Sequence, residues 1–313
     1  MKTIQVQAPG LLTTVQDLGR PGFGPIGVSP SGAADPISLR VGNRLAGNKE
    51  GVAGLEMMLL GGTFVFPQGA IVALTGSDFG ARLDHVNVAL GTAVQVRPGQ
   101  TLRFGPTTSG ARCYLCVQGG IALKPFLGSA STHILSGLGG CEGRALRKGD
   151  VLRIGRAGKR FRRRKIAAQV SERLYGRKVL RVTPGPQADW FSESSLGAFY
   201  AGTYRVGEQS NRMGLRLEGP AISLGGAREM ITEGVSLGAI QVPAEGSPIV
   251  LFVDQQTTGG YPKIANVISA DLHRVGQLRP RDELRFEQVT FDRARALLIE
   301  QEKFLSSREL IVE

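Results

Sequence analysis

The segment Val96-Arg-Pro-Gly-Gln-Thr-Leu-Arg-Phe104 places a polar turn between an apolar residue and a short strand. Two other segments align with it without gaps: Leu146-Arg-Lys-Gly-Asp-Val-Leu-Arg-Ile154 and Leu278-Arg-Pro-Arg-Asp-Glu-Leu-Arg-Phe286. In each predicted strand an Arg lies between two apolar residues, so it faces the opposite side of the sheet. Because the first copy begins at residue 96 and the third at residue 278, we predict two similar β-domains in tandem.

Short β-rich segments dominate the rest of the sequence. Residues 70–75, 111–117 and 248–253 are apolar, rich in branched side chains and flanked by Gly or Pro, as buried strands are. The 44 glycines, about twice the usual share, suit many short strands joined by tight loops. Helices are few: the capping pattern predicts one from Pro36 to Gly47, and apolar spacing predicts another after Thr290.

We place the domain boundary in a basic connector, 157–178, between domains 1–156 and 179–313. Much of the net charge of +12 comes from Lys159-Arg-Phe-Arg-Arg-Arg-Lys165, in which six of seven residues are basic. Aromatic residues do not alternate with basic ones, and no helix-turn-helix or zinc-finger spacing occurs, so we expect no nucleic-acid partner. We interpret the run as a solvated linker or a docking patch for an acidic partner subunit.

Targeting signals are absent from the sequence. Pro9 and Gly10 interrupt the segment where a signal peptide would be apolar, and no eighteen consecutive residues are apolar. We therefore expect a cytoplasmic protein without membrane contact. Three cysteines do not make a disulfide framework, and Cys113 and Cys116 are expected to be buried thiols in a strand. The three histidines lack metal-ligand spacing, so we expect no metal site.

The most informative polar segment is Asp254-Gln-Gln-Thr-Thr-Gly-Gly-Tyr-Pro-Lys-Ile-Ala265, which follows a predicted strand. Gly259 and Gly260 can expose backbone N–H groups to an anion or oxyanion, and Lys263 follows them. This combination suits a polar substrate that carries a carboxylate. An equally weighted structural interpretation is a turn in which Asp254 caps local N–H groups and Lys263 is solvated.

Two other polar segments have the same two interpretations. Asp17 and Arg20, in the glycine-rich loop 15–35, form either a structural ion pair or a wall of the same cleft, with Arg20 binding a carboxylate or phosphate. Arg212, in the other segment, likewise either forms a structural ion pair or binds a carboxylate or phosphate. The sequence contains no G-x-S-x-G elbow, Walker A lysine or G-x-G-x-x-G motif, so any use of ATP requires an unorthodox site or a partner.

Seven segments, in order along nearly the whole chain, carry a family resemblance. They are Thr14-Val-Gln-Asp-Leu-Gly-Arg20, Ser31-Gly-Ala-Ala-Asp35, Asn43-Arg-Leu-Ala-Gly-Asn48, Leu115-Cys-Val-Gln-Gly-Gly-Ile121, Arg212-Met-Gly214, Gly238-Ala-Ile-Gln-Val-Pro243 and Thr257-Thr-Gly-Gly-Tyr-Pro-Lys-Ile-Ala265. In these segments the sequence resembles the biotin-dependent-carboxyltransferase-like family of allophanate hydrolase subunit 2, KipA-type proteins and the 5-oxoprolinase C subunit.

The resemblance implies two tandem cyclophilin-like β-barrel domains, with a few short helices, in a mainly β fold. It also implies a KipI-type B subunit and a LamB/YcsF-type A subunit as partners. Together these subunits would open 5-oxo-L-proline to L-glutamate at the expense of ATP, and we expect the isolated chain to be inactive. The family commonly has an acidic residue where this chain has Asn211, which bears on the choice of substrate.

For this chemistry we expect Lys263, Asp254 and Asp17 to be catalytic, with Lys263 stabilising developing charge and an aspartate moving protons. The expected substrate-binding residues surround a small carboxylate in a crevice shared by both domains. They are Arg20, Arg212, Gln255, Thr257, Thr258, Gly259, Gly260 and Tyr261.

Two other functions stay open at this point. The chain can be half of a biotin-dependent carboxyltransferase of the urea or allophanate type. It has no Met-Lys-Met attachment site for covalent biotin, so the biotin would arrive on another protein. Alternatively, it can be a KipA-type regulatory protein that binds an inhibitor of a sensor kinase.

Overall fold

β-Strands make up most of the regular structure in the computed structural model, which describes residues 1–156, 164–167, 170, 179–226 and 229–312. The chain forms two units, and neither is continuous in sequence. Unit 1 contains Met1–Arg20, Ser31–Val170 and Ser307–Glu313, and unit 2 contains Pro21–Pro30 and Ser171–Ser306. Most of the predicted connector, 157–178, lies outside the described residues. The prediction of a mainly β fold is confirmed.

Unit 1 has two large antiparallel sheets and one two-stranded sheet, which contains β12, among its described residues. Its strands, apart from the last, are β1 (Thr3–Ala8), β2 (Leu12–Gln16), β3 (Gly54–Met58), β4 (Thr63–Val65), β5 (Ala70–Gly76), β6 (Arg82–Leu83), β7 (Val86–Asn87), β8 (Ala93–Val96), β9 (Thr101–Arg103), β10 (Arg112–Val117), β11 (Val151–Arg153) and β12 (Lys165–Ile166). One sheet has the order β11-β1-β4-β9-β6-β7 and the other β2-β3-β10-β5-β8. Apolar side chains of both sheets, such as Phe64 and Leu115, pack into one core.

Helix α1 (Pro36–Ala46) lies where the sequence predicts it. The Asp35 carboxylate accepts the Ser38 N–H at 2.9 Å, and Gly47 ends the helix with a left-handed φ of 81°. The helix packs on β5 and β10. In β10 the thiols of Cys113 and Cys116 are buried and free, as predicted, and burial raises the pKa of both.

Unit 2 is built on a closed seven-stranded barrel in its described residues, with the order β13-β20-β17-β18-β15-β14-β21. Its strands are β13 (Val179–Pro184), β14 (Tyr204–Val206), β15 (Gly214–Glu218), β16 (Glu233–Gly234), β17 (Ala239–Gln241), β18 (Ile249–Leu251), β19 (Thr258–Gly259), β20 (Lys263–Val267) and β21 (Glu283–Gln288). The parallel pair β13 and β21 completes the barrel, whereas β16 and β19 form a separate two-stranded ribbon.

The described α-helices of unit 2 have 9, 4 and 16 residues. They are α2 (Glu193–Ala201), α3 (Leu272–Val275) and α4 (Phe291–Ser306), the last where the sequence predicts it. Strand β22 (Ile311–Val312) then returns the chain to unit 1, where it pairs with β12. Within the described ranges, no helix combines the length and hydropathy needed to cross a bilayer.

The three sequence repeats adopt the same turn. Gly99, Gly149 and Arg281 occupy equivalent positions and have left-handed φ angles of 82°, 94° and 72°. In each copy the next side chain accepts a backbone N–H from three residues before it. These bonds join Gln100 to Arg97 (2.8 Å), Asp150 to Arg147 (2.7 Å) and Asp282 to Arg279 (2.9 Å).

Each turn is also bonded in the same way to an apolar residue of the same unit. The turn residue with the left-handed φ donates its N–H to the carbonyl of the apolar residue. The N–H of the apolar residue donates to the carbonyl of the next residue along the turn. The pairs are Gly99 with Phe66, Gly149 with Val6 and Arg281 with Val206. Because two copies lie in unit 1 and one in unit 2, the hydrogen bonding supports the internal repeat predicted from the sequence.

Arg281 carries a side chain where its two sister turns have glycine. We expect Arg281→Gly to be more stable than Arg281→Ala by about 1 kcal/mol, because a left-handed φ is costly for a residue with Cβ. Both variants remove the exposed Arg281–Glu208 ion pair, so the comparison isolates the backbone. Urea unfolding followed by the fluorescence of Trp190, the single tryptophan, measures the difference. Equal stabilities would contradict the shared turn geometry.

Candidate functional site

A buried ion pair marks the point where β18 ends. The Arg212 Nε donates to Asp254 Oδ2 at 2.7 Å, and its Nη2 donates to Oδ1 at 3.1 Å. The side chains are only 7% and 6% exposed, and the Asp254 N–H also donates to the Arg212 carbonyl at 2.8 Å. Arg212 therefore engages both carboxylate oxygens of Asp254, and the pair fixes the start of loop 254–262. Proton transfer by Asp254 and substrate binding by Arg212 stay predictions.

Asn211, where an acidic residue is common in the family, is exposed. Its Oδ1 accepts the Met213 N–H at 2.8 Å, which is a turn contact that an aspartate can also make. The asparagine therefore preserves the local turn next to Arg212.

Lys263 begins β20, and its side chain is only 5% exposed, so the interpretation of Lys263 as a solvated lysine is wrong. Its ammonium lies 2.5 Å from Oε1 of Glu233, whose side chain is 46% exposed. Among the described residues, Glu233 is the one polar partner of this ammonium. A lysine is rarely buried without a counter-charge, so this contact is what allows Lys263 to be buried.

The side-chain amide of Gln187 connects the lysine with the glutamate. Its Oε1 accepts the backbone N–H of Lys263 at 3.2 Å, and its Nε2 donates to Glu233 Oε1 at 3.0 Å. These two contacts fix the orientation of the amide. The Lys263 ammonium and the Gln187 amide thus converge on one oxygen, and together they hold the pKa of Glu233 below its ordinary value.

Two glycines make room for this arrangement. A Cβ on Gly259 would lie 2.5 Å from Nε2 of Gln241, the residue that pairs with Lys263 across β17 and β20. A Cβ on Gly185 would clash with the backbone carbonyl of Lys263. Gly259 also pairs with Glu233 in the β16–β19 ribbon, so the glycine loop predicted as an anion cradle packs beside the lysine and its carboxylate.

The remaining predicted residues of this loop differ in exposure. Gln255 is buried; its Nε2 donates to the Val235 carbonyl at 3.3 Å, and its Oε1 has no hydrogen-bond partner among the described residues. Thr257 is partly buried, whereas Thr258, Gly260 and Tyr261 are exposed. Their contact with substrate stays a prediction.

Asp17 is fully engaged by its own unit. Its Oδ1 accepts the Gly19 N–H at 2.8 Å and the hydroxyls of Ser129 and Ser131 at 2.6 and 2.5 Å, and its Oδ2 accepts the Ala130 N–H at 2.6 Å. A carboxylate with these four donors anchors the loop that contains them. A catalytic role for Asp17 stays a prediction.

Arg20 is 2% exposed, and its guanidinium donates to the backbone carbonyls of Phe126 and Ser131. It also lies 5.6 Å from the centre of the Phe126 ring. Asp17 and Arg20 belong to unit 1 and Lys263 to unit 2, so the shared crevice and substrate binding by Arg20 stay predictions.

Part of the glycine-rich loop 15–35 does lie near the end of β18. Residues 21–30 belong to unit 2, and the Ser29 hydroxyl donates at 3.1 Å to the carbonyl of Val253, the residue before Asp254. This segment therefore borders the strand end that precedes the polar loop, and its role as a wall of a substrate site stays a prediction.

A groove of about 610 Å³ lies elsewhere, in unit 1. Its lining is mostly apolar, with Leu83, Val86 and Val94 among its residues, and none of the predicted site residues contributes to it. Across the part of the chain that the structure describes, no three His, Cys, Asp or Glu side chains come together as a metal site. Neither observation assigns a ligand to this unit.

Sequence reasoning missed Glu233 and Gln187. Each lies close to a glycine, in the segments Thr232-Glu-Gly234 and Gly185-Pro-Gln187. Nothing in the spacing of these segments relates them to Lys263. A useful signal was the lysine itself, because an apolar strand that begins with lysine requires a carboxylate from elsewhere.

Comparison with known proteins identifies relatives of nearly the whole chain. A family model of the carboxyltransferase domain, subdomain A and B, matches residues 26–288. The chain is 39% identical to the 5-oxoprolinase C subunit of Escherichia coli (strain K12) over 96% of both chains. It is 35% identical to urea amidolyase of Saccharomyces cerevisiae over 97% of this chain and 18% of that protein.

A solved structure gives the same relationship in three dimensions. The crystal structure of Kluyveromyces lactis urea amidolyase matches with a TM-score of 0.92 at 32% identity, covering 97% of this chain and 20% of that one. The chain thus spans about a fifth of the urea amidolyases but nearly the whole of the bacterial protein.

The Arg212–Asp254 pair supplies a stability test. Either Arg212→Met or Asp254→Leu alone should destabilise the protein by about 3–5 kcal/mol, because each removes the opposite charge that a buried side chain contacts. The double variant should be more stable than either single variant, and denaturant unfolding of all four proteins gives the coupling energy. Additive losses would mean that the two side chains do not depend on each other.

Gly259 and Gly234 lie in the two strands of the β16–β19 ribbon and serve as a test position and its control. We expect Gly259→Ala to cost about 1–3 kcal/mol, because its methyl group would displace the Gln241 amide. Gly234→Ala should change stability by less than about 0.5 kcal/mol, because a Cβ there has no atom within 4 Å. Thermal unfolding checks both, and equal effects would contradict the packing of Gly259.

Proposed function

The chain belongs to the family of carboxyltransferase domains, subdomain A and B, that includes the bacterial 5-oxoprolinase C subunit, and from this premise we propose that it is the C subunit of an ATP-dependent 5-oxoprolinase. Similarity over nearly the full length of that relative supports the proposal. The geometric observation that carries it is the convergence of the Lys263 ammonium and the Gln187 amide on one oxygen atom.

The proposed reaction converts 5-oxo-L-proline, ATP and two waters into L-glutamate, ADP and phosphate. One water opens the ring, and its oxygen enters the new carboxylate while the ring nitrogen leaves as the amine. A lactam carbonyl is stabilised by resonance, so it must be activated before water adds: the lactam oxygen takes the γ-phosphoryl group of ATP as ADP leaves, and the second water later releases that group as phosphate. Lys263, with the Gln187 amide beside it, would stabilise the negative charge carried to the lactam oxygen by the phosphoryl group.

We propose that ATP is used by a complex of this chain with partner subunits. This chain has no Walker A motif, so ATP would bind with a partner protein or at an unorthodox site. The partners in this proposal are a KipI-type B subunit and a LamB/YcsF-type A subunit, in a cytoplasmic complex. The basic run 159–165 is the proposed docking patch for an acidic surface of a partner.

The alternative function is half of a biotin-dependent carboxyltransferase. The description of the family model and the similarity to urea amidolyases favour it. In that case Lys263 would face a carboxylated biotin carried by another protein. A KipA-type regulatory role is a third possibility, and all three functions require a partner.

Lys263→Ala should lower 5-oxoproline-dependent ATP hydrolysis of the reconstituted complex by at least about 100-fold, because the charge on the lactam oxygen loses its cation. Phosphate release measures the activity, and size-exclusion chromatography checks that the complex still assembles. Lys148→Ala is the control, because this exposed lysine lies in unit 1. Full activity of Lys263→Ala would remove the lysine from the mechanism.

Avidin separates the two enzymatic functions. Activity of the 5-oxoprolinase complex should be unchanged by avidin, because no step uses biotin. Loss of activity on adding avidin, but not on adding avidin saturated with free biotin beforehand, would instead support carboxyl transfer. A complex that hydrolyses no ATP with 5-oxoproline would contradict the main proposal.

A further inference from the structure

The position of Glu233 Oε1 is where two donors from buried residues meet. Lys263 and Gln187 are 4% and 8% exposed; the Lys263 ammonium forms an ion pair with this single oxygen, and the Gln187 amide donates an N–H to it. An ammonium has three N–H donors, yet among the described residues Glu233 is its one polar partner. Such a pair of buried donors is the kind of cradle that proteins use for an external carboxyl or carbonyl oxygen.

The carboxylate that fills the cradle lies on a weakly held segment. Residues 231–234 are all exposed, and Ile231 is 90% exposed. Strand β16, which carries Glu233, has only two residues and pairs only with β19 in the described residues. Few buried contacts therefore hold Glu233 in place, whereas the donors are fixed by the barrel and by the backbone of β20.

We propose that Lys263 and Gln187 form a cradle for one carboxyl or lactam oxygen of the substrate, and that Glu233 is an internal occupant which the substrate displaces. The identity of the substrate, 5-oxo-L-proline, rests on the proposed function; the displacement itself does not. The free protein thus satisfies its buried lysine with its own carboxylate. The substrate takes over that contact when it binds, and Glu233 turns to solvent.

An occupied cradle lowers the apparent affinity for the substrate, because only those protein molecules in which Glu233 is displaced can bind it. Replacing the charged occupant with a neutral one should raise that fraction. We expect Glu233→Gln to bind 5-oxo-L-proline about tenfold more tightly than the unchanged protein, as measured by isothermal titration calorimetry on the full chain. In the reconstituted complex the same variant should lower KM without raising kcat, a split that loss of a purely structural contact would not produce.

Two smaller probes identify the oxygen that enters. L-Proline has the carboxylate without the lactam, and 2-pyrrolidinone has the lactam without the carboxylate. Tighter binding of L-proline to Glu233→Gln assigns the cradle to the carboxylate, and tighter binding of 2-pyrrolidinone assigns it to the lactam oxygen. Either result supports displacement, and unchanged affinity for all three compounds overturns it.

Glu229→Gln is the matched control, because it removes the same charge from the same exposed segment without contacting Lys263. Its affinities should equal those of the unchanged protein, and a gain equal to that of Glu233→Gln would reduce the effect to net charge. The double variant Glu233→Gln and Gln187→Met removes one donor and should lose most of the gain. Retention of the full gain would overturn the role of Gln187.

The two proposals fail separately. If the complex hydrolyses ATP with 5-oxoproline but Glu233→Gln leaves the affinity for all probes unchanged, the displacement is wrong and the function stands. If Glu233→Gln binds L-proline or 2-pyrrolidinone more tightly but the complex is inactive with 5-oxoproline, the function is wrong and the cradle stands.

Discussion

A lysine ammonium can leave water only if another group compensates its charge, and this constraint organises the segments around β20. Lys263 is buried at the start of that strand, so Glu233 must reach it from the β16–β19 ribbon. The Gln187 amide holds the same carboxylate oxygen and the lysine backbone, and Gly259 leaves the space this packing needs. One buried charge thus accounts for the lowered pKa of Glu233, the ordered amide of Gln187 and the need for glycine at position 259.

Local sequence was sufficient wherever short-range geometry decides the structure. Helix α1 has its cap, its proline and its terminal glycine within a dozen residues, and the chain folds there as these residues dictate. The repeated turn was also visible in the sequence, because each copy contains its own side-chain to backbone bond. The left-handed φ of Arg281 could be inferred only by aligning it with the glycines of the other two copies.

The polar loops could not be read in the same way, because the partners of a polar group come from distant parts of the chain. Asp17 resembles a catalytic carboxylate in sequence, yet residues 129–131 satisfy both its oxygens. Asp254 is bound by Arg212, and the carboxylate that faces Lys263 comes from Glu233. Sequence therefore identified the polar loop 254–263, but the charges that its residues contact depended on tertiary structure.

The discontinuity of unit 1 has a consequence for biosynthesis. Strand β12 pairs with β22, and the Arg44 side chain donates to the Ser307 carbonyl, so the last segment of this unit leaves the ribosome after all of unit 2. At about 5–20 residues per second, the delay is roughly seven to thirty seconds. Throughout that interval the nascent chain presents an unpaired strand edge, which is the kind of surface that chaperones protect from premature association.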